Sequence, residues 1–258
     1  MAEFFGFGGY NRPAEGFLSW QHLTFVTFLV GLMIWGAIAL GKKYKNADFA
    51  QKNKVLIVTA LVLDGVELAK ILLMCIRSDD PMHWMQHLPL FLCSIQLIAV
   101  PMAAFCRGRI REAALDFVAI FGMLGAVLGT YGAGSNYAAY PVLSLDNVAS
   151  GITHTLSGFA ALFILLTGMA QLKKENMWCT YGILGGFCVA AYAVDILWDF
   201  NYMFLIRGDG TPYEILYSLT GGSPVIYPIA VVALFLVYIA VFYWVRTLCK
   251  KKAEVIAK

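Results

Sequence analysis

Residues 55–76 read VLIVTALVLDGVELAKILLMCI, an apolar run that carries only three ionisable residues, Asp64, Glu67 and Lys70. Crossing the hydrocarbon core of a bilayer takes about 20 predominantly apolar residues. A charge at the bilayer centre costs about 2.5–3.5 kcal/mol on insertion scales, so ionisable residues in such helices usually face the bundle interior and mark a functional site. The run therefore predicts a membrane-spanning helix whose polar groups face other helices.

The whole chain shares this apolar character. Its 258 residues are 60% hydrophobic with a mean hydropathy of +0.72, which is too apolar for a soluble domain. Seven runs approach the length of a span, and we predict helices because backbone groups in lipid must be satisfied within the segment. They cover roughly 21–41, 55–76, 88–106, 113–133, 149–172, 178–200 and 224–245. The predicted fold is an all-α seven-transmembrane-helix bundle, a single multi-pass domain over residues 1–258 in the cell membrane.

Lys and Arg are sorted between the two sets of connections. Of 19 such residues, 15 follow the first, third, fifth and seventh runs, 3 lie in the opposite connections, and the last is Lys70. Because cytoplasmic loops carry an excess of Lys and Arg, the N-terminus is predicted outside and the C-terminus in the cytoplasm. The formal charge of +3 mostly reflects the Lys and Arg residues that set the orientation of the chain in the membrane. We therefore expect no nucleic-acid partner. The 15 are Lys42, Lys43, Lys45, Lys52, Lys54, Arg107, Arg109, Arg111, Lys173, Lys174, Arg246, Lys250, Lys251, Lys252 and Lys258, and the 3 are Arg12, Arg77 and Arg207.

Polar groups are predicted to collect in the outer half of the bundle. With a rise of about 1.5 Å per residue, the direction of each helix places them at similar depths below the exterior surface. The inner half holds little apart from Asp116. The sequence therefore predicts one outer-half cavity. The converging residues are His22, Glu67, Lys70, His87, Cys93, Gln96, His154, Asp195 and Asp199.

The charges in this set have two interpretations. Glu67 and Lys70 are spaced i, i+3 and can pair. Asp195 and Asp199, spaced i, i+4, share a helix face without a base, so they would share a proton, take a counter-charge such as Lys70, or hold a cation. The alternative to a binding site is a buried salt-bridge network that fixes the helix register.

Several uncharged positions have structural interpretations. His22, at the mouth of the first helix, is typical of an interfacial hydrogen bond, although it is also a candidate binding residue. Gln96 and Asn147 are predicted to form interhelical hydrogen bonds. The spacing of Gly125 and Gly129 indicates close helix packing.

Cys93 has both a functional and a structural interpretation. A thiol in apolar surroundings is normally inert, and a nearby base makes it a nucleophile. His154, on another helix, and His87, just before the same run, are the candidate bases, with Asp195 or Asp199 available to orient an imidazole. The other five cysteines are interpreted as packing residues. Spacing alone leaves Cys93 open between the two roles.

Three stretches resemble the YwaF family of bacterial integral membrane proteins, which have seven predicted helices. They are FLSWQHL at 17–23, HLPLFLCS at 87–94 and NYMFL at 201–205. The family is similar to eukaryotic transmembrane protein 164, an acyltransferase that acts on phospholipids through a cysteine in its third-helix region. The resemblance implies that Cys93 is the nucleophile, with His154 as the candidate partner and Asn201 among the binding residues. TGGSP at 220–224 departs from the expected Gly-Pro-Trp-Pro, so the exterior loop is predicted to differ.

Two classes of function are therefore expected. One is a membrane-embedded acyltransferase that forms a covalent thioester on Cys93 and takes membrane lipids as its partners. The other is a seven-helix carrier or receptor-like protein that binds a small polar ligand or a cation in the same cavity. An opsin is disfavoured because residues 224–245 contain no lysine, and a three-histidine zinc hydrolase because the second, sixth and seventh runs contain no histidine. We predict no cofactor and no metal, and no protein partner can be inferred.

Overall fold

The computed structural model describes the backbone of residues 2–256 and the side chains of residues 3–249. Lys258 and the side chains of Lys250, Lys251 and Lys252, which entered the charge count above, lie outside the described residues. All regular elements within 2–256 are helical, which confirms the all-α prediction for this range. The α-helices are α1 (Ala2–Phe5), α2 (Trp20–Tyr44), α3 (Phe49–Arg77), α4 (Gln96–Phe105), α5 (Gly108–Thr130), α6 (Gly134–Ala139), α7 (Leu145–Thr167), α8 (Lys174–Trp198), α9 (Glu214–Leu219) and α10 (Ile226–Ile256), with 3-10 turns at His83–His87 and Tyr202–Phe204.

Three of the long helices begin at a polar capping residue. Ser19 before α2, Asp48 before α3 and Ser144 before α7 each accept a hydrogen bond from the backbone N–H three residues later. Each cap satisfies one of the N–H groups that the first turn of a helix leaves without a partner. These residues therefore fix where the apolar runs become helices.

Five helices of the described chain are long and apolar enough to cross a membrane, namely α2, α5, α7, α8 and α10. Helix α3 has 29 residues, but its apolar stretch contains the three ionisable residues noted above. Helix α4 is apolar but has only 10 residues, or about 15 Å of rise. The chain is therefore a multi-pass membrane protein.

The prediction of a continuous third helix over 88–106 is wrong, because only Gln96–Phe105 is helical. Pro89 disfavours helical geometry at the residue before it, and Leu88 is extended with ψ 144°. The hydroxyl of Ser94 then hydrogen-bonds both the N–H and the carbonyl of Phe91, at 3.0 Å each. A side chain that satisfies the backbone in this way competes with a helical turn. Cys93 therefore lies in an irregular segment before α4, and not within a helix.

Helix α5 occupies the centre of the bundle, and α7 packs along it. Gly122 faces the carbonyl of Ser157 and the methyl group of Ala161 so closely that a β-carbon would overlap them. Gly158 of α7 leaves the same kind of space for Met33 and Ala126. Small residues let helix backbones approach closely in a bilayer, where packing drives association. The closely packed pair of α5 and α7 therefore forms the centre of the bundle.

Polar contacts join the helices at one end of the bundle. Asp116 at the start of α5 accepts hydrogen bonds from the Leu172 N–H at 3.1 Å, from Asn176 at 3.3 Å and from the Tyr243 hydroxyl at 2.9 Å. Close by in the fold, Lys52 of α3 donates to the carbonyl of Thr167 at the end of α7. These contacts link α3, α5, α7, α8 and α10 at that end and fix their register.

The six tryptophans all lie on the surface of the bundle, with exposed fractions of 47–73%. Three of them, Trp20, Trp178 and Trp198, lie near an end of a long helix. Indole rings are enriched at membrane–water interfaces, where an amphipathic ring meets the headgroups. This placement agrees with a bundle embedded in a bilayer. The residues are Trp20, Trp35, Trp84, Trp178, Trp198 and Trp244.

Candidate functional site

A cavity of about 390 Å³ opens between α3, α7 and the irregular segment before α4. Its size lies within the range of small-molecule and cofactor sites in proteins. The structure brings five of the predicted site residues together here: Glu67, Lys70, His87, Cys93 and His154. The other polar lining residues are His83, Gln86, Ser94, Asn136, Tyr140, Asp146, Ser150, Thr153 and Ser157.

Cys93 and His154 lie against Gly125 and Gly129 of α5, the two glycines whose spacing predicted close packing. A β-carbon on Gly129 would overlap the imidazole ring of His154, so the ring packs directly on bare backbone. A β-carbon on Gly125 would lie 3.5 Å from the β-carbon of Cys93, which is an ordinary contact. The two glycines are four residues apart, or about 6 Å along the helix. Cys93 and His154 therefore pack against neighbouring turns of α5, and both line one cavity.

Glu67 and Lys70 form an ion pair along α3. The Lys70 Nζ and the Glu67 Oε1 are 2.5 Å apart, and the two side chains are only 13% and 12% exposed. The i, i+3 pairing predicted from the sequence is therefore present. Lys70 has its counter-charge on its own helix, so the prediction that it could neutralise Asp195 or Asp199 finds no support.

His87 forms a hydrogen bond with His83, which was not among the predicted site residues. Its Nε2 lies 3.3 Å from the Nε2 of His83, and both rings line the cavity. Burial, together with the positive charge of Lys70, lowers the pKa of His87 to about 4. His87 is therefore a neutral imidazole at physiological pH.

Asp195, Asp199 and Asn201 do not line the cavity. Asp195 is buried on α8, where its Oδ1 accepts the Tyr202 N–H at 2.7 Å. The prediction that Asp199 continues the helix face of Asp195 is wrong, because Asp199 is the left-handed residue that ends α8, with φ 54°. Its side chain is 89% exposed and pairs with Arg207 at 2.9 Å. Asp195 is therefore buried within α8, whereas Asp199 lies just beyond its last residue and faces outwards.

The NYMFL stretch positions the cavity wall from outside. The side-chain amide of Asn201 closes a turn: it accepts a hydrogen bond from the N–H of Arg207 and donates one to the carbonyl of the same residue. The Tyr202 hydroxyl donates to the carbonyl of Met85, and its ring packs edge-on against Phe91 with 4.9 Å between centroids. This stretch therefore holds residues 83–95, the segment that carries Cys93.

His22 and Gln96 are buried away from the cavity. The Nδ1 of His22 accepts the Leu18 N–H at 3.1 Å, so its Nε2 carries the proton and donates to the Thr130 carbonyl at 3.1 Å. With both nitrogens engaged, His22 ties α2 to α5, in agreement with the hydrogen-bonding interpretation. Neither polar atom of the Gln96 amide has a hydrogen-bond partner within the described chain. The predicted interhelical hydrogen bond of Gln96 is therefore not formed.

The largest polar feature that the sequence did not reveal is a buried cluster beside the cavity. Arg77 at the end of α3 binds both carboxylate oxygens of Asp146, at 2.7 and 2.9 Å, and Tyr10 donates to the same carboxylate. Burial and Asp146 together raise the pKa of Tyr10 to about 12, so its hydroxyl keeps its proton. Arg77 is the last residue of α3, and Asp146 lies in the first turn of α7. Nothing in their spacing pairs them.

Comparison with known proteins gives one match. A family model described as the TMEM164 family matches residues 17–251. No curated protein and no solved structure matches the chain. The match agrees with the resemblance to transmembrane protein 164, while the narrower resemblance to YwaF stays a prediction.

Proposed function

We propose that this chain, which belongs to the TMEM164 family, is a membrane-embedded acyltransferase that acts on the acyl chains of phospholipids. Cys93 serves as the nucleophile and His154 as its general base. The observation that carries the proposal is that both side chains pack against neighbouring turns of the glycine face of α5 and line one cavity. A nucleophile and a base in one pocket are the minimum set for covalent acyl transfer.

The reaction divides into two balanced halves. His154 takes the thiol proton while the sulfur of Cys93 attacks the ester carbonyl of the donor lipid. The bond between the acyl carbon and the glycerol oxygen breaks, the imidazolium returns its proton to that oxygen, and a thioester remains on Cys93. In the second half, His154 deprotonates an acceptor hydroxyl, which attacks the thioester and restores the thiol. His154 acts as base and then as acid in each half.

The Glu67–Lys70 pair gives the same cavity a polar wall. An ammonium group that is largely shielded from water attracts an anionic group more strongly than one on an open surface, because the surroundings screen it less. We assign Lys70 to the headgroup phosphate of the donor lipid, and Glu67 to holding the ammonium in place. The acyl ester of a lipid bound in this way would lie deeper in the cavity, towards Cys93.

The proposal is tested by trapping the thioester. Purified protein in nanodiscs is incubated with an acyl-labelled phospholipid and analysed by intact mass spectrometry. We expect one acyl addition that hydroxylamine removes, mapped to Cys93, and no addition to the Cys93→Ala variant. Unlabelled protein together with stoichiometric bound lipid would overturn the enzyme proposal and favour a carrier or receptor.

Gly129→Ala is expected to lower acyl transfer by about 10²–10⁴-fold, the range that a general base contributes. The new β-carbon would occupy the place of the His154 ring and push the base away from the thiol. Initial rates with a fluorescent phospholipid measure the effect.

Gly125→Ala is the matched control. It adds the same methyl group on the same helix, but at an ordinary contact distance of 3.5 Å from the Cys93 β-carbon. We expect it to stay within a few-fold of the parent protein. Equal losses in the two variants would show that the glycine face serves helix packing only.

We also propose that the chain crosses the membrane seven times, with the N-terminus outside, and that its third crossing is a broken helix. Non-helical backbone is tolerated at membrane depth where it is buried in protein or lines a cavity, which describes the segment before α4. The cavity then lies in the outer half of the bilayer of the cell membrane.

Topology mapping tests this orientation. Because basic residues flank one side in excess, reporters inserted within 134–148 and 201–223 should be exterior and a reporter within 173–177 cytoplasmic. Finding the two chain ends on the same side of the membrane would exclude seven crossings.

A further inference from the structure

His83 and His87 stand one helical turn apart, with both rings turned to the cavity. Their Nε2 atoms are 3.3 Å apart, and the rings meet edge to face at 66° with 5.0 Å between centroids. Both side chains are half-buried, at the cavity that also contains Cys93. The two imidazoles thus bring one nitrogen each to the same side of the cavity, 3.3 Å apart.

This separation matches the geometry of two imidazoles on one tetrahedral metal ion. Zinc–nitrogen bonds are about 2.0–2.1 Å long, so two such bonds at a tetrahedral angle place their nitrogens about 3.3–3.4 Å apart. The two ligands would need little movement to bind the ion. The cavity of about 390 Å³ has room for water molecules at the remaining coordination positions.

We propose that His83 and His87 form a binding site for a divalent transition-metal ion of the Zn²⁺ class, completed by water, at the cavity that holds Cys93. Imidazole nitrogen is a favoured ligand of such ions. Within the described chain no cluster of three or more His, Cys, Asp or Glu side chains is arranged to hold a metal, so the protein contributes two ligands. An ion held here narrows access to Cys93 and acts as a reversible inhibitor.

The proton balance of binding is neutral. In the apo arrangement, one Nε2 carries the proton of the hydrogen bond between the rings and the other accepts it. When both Nε2 atoms bind the ion, that proton moves to Nδ1 of its own ring. No proton leaves the site in this exchange. Of the charged side chains on the cavity wall, Lys70 pairs with Glu67.

The test uses full-length protein in nanodiscs at about pH 7.5, where an ordinary imidazole is mostly neutral. Zn²⁺ alone is titrated calorimetrically, and Cu²⁺ is used as a spectroscopic probe. We expect a single ion per chain, with hyperfine structure from two ring nitrogens in the Cu²⁺ spectrum. His83→Ala and His87→Ala should each weaken binding by at least tenfold, while Cys93→Ala and His154→Ala bind as the parent does.

Each contrary result overturns the proposal. Binding that persists in both histidine variants places the ion elsewhere, and binding that is lost in Cys93→Ala places it on the thiol. Thermal unfolding of each variant shows whether it is folded, and His83→Gln provides a second substitution if alanine destabilises the turn. In the activity assay, Zn²⁺ should inhibit the parent, a chelator should reverse the inhibition, and His83→Ala should resist it. Metal binding is measured without turnover, so failure of the acyltransferase proposal leaves this test intact.

Discussion

Replacing Cys93 by alanine is expected to abolish acyl transfer, and replacing His154 by alanine to be nearly as damaging. Losses of up to about 10⁶-fold in kcat follow removal of a nucleophile or its base when the two act as a unit. The double variant should lose little more than either single one. Cys93→Ser should retain little activity, because a hydroxyl is a much poorer nucleophile for the same base. Single-turnover rates with an acyl-labelled phospholipid measure all four variants.

The control for these variants is another cysteine. Cys188 of α8 is buried and contacts the sulfur of Met203, so Cys188→Ala removes a thiol that lies away from the cavity. We expect it to keep its activity. If Cys93→Ala restores a deletion strain as well as the parent chain does, covalent catalysis is wrong and the cavity is a ligand site.

Arg77→Met is expected to produce the largest loss of stability, about 3–5 kcal/mol, the range found when one partner of a buried ion pair is removed. The side chain of Asp146 is only 3% exposed, so it would keep a buried charge with no guanidinium beside it. Tyr10 can still donate one hydrogen bond, which does not replace the charge. Unfolding by steric trapping in bicelles measures the difference in the free energy of unfolding.

Two further variants separate charge from packing. Arg207→Met removes the same side chain from an exposed pair with Asp199, and should cost no more than about 1 kcal/mol. Adding Asp146→Asn to Arg77→Met should recover part of the lost stability, because it removes the buried negative charge that Arg77 no longer neutralises. Equal costs for Arg77→Met and Arg207→Met would mean that the Arg77–Asp146 pair contributes nothing beyond a surface contact.

The sequence predicted the helical, multi-pass character and much of the cavity. Hydropathy located the long helices because span length is a property of local composition. Glu67, Lys70, Cys93 and His154, which the depth argument placed together, line one cavity, although Cys93 lies before α4 and not within a helix. Depth carries no information about the direction in which a side chain points. Gln96, predicted at the same level, is buried elsewhere for that reason.

Hydropathy and helix geometry could not predict features that depend on local turn hydrogen bonds or on contacts between distant parts of the chain. Hydropathy continues through 88–106, although Pro89 and Ser94 break the helix there, so only the local hydrogen bonds reveal the irregular segment. Asp199 fits the helical spacing but ends α8 in a left-handed conformation. Arg77 and Asp146 are 69 residues apart in the chain, and a single sequence gives no means of pairing them.

The central position of α5 has a consequence for how the protein is made. Within the apolar window of that span, 72% of the residues are buried by other parts of the chain. Most of that cover is synthesised later, and so are all three hydrogen-bond donors to Asp116, on Leu172, Asn176 and Tyr243. While the segment between α5 and α10 is being synthesised, Asp116 therefore lacks at least one of the donors that it has in the folded protein. A chain truncated before Tyr243 would therefore leave Asp116 without one of these three donors, although the cavity residues are all present.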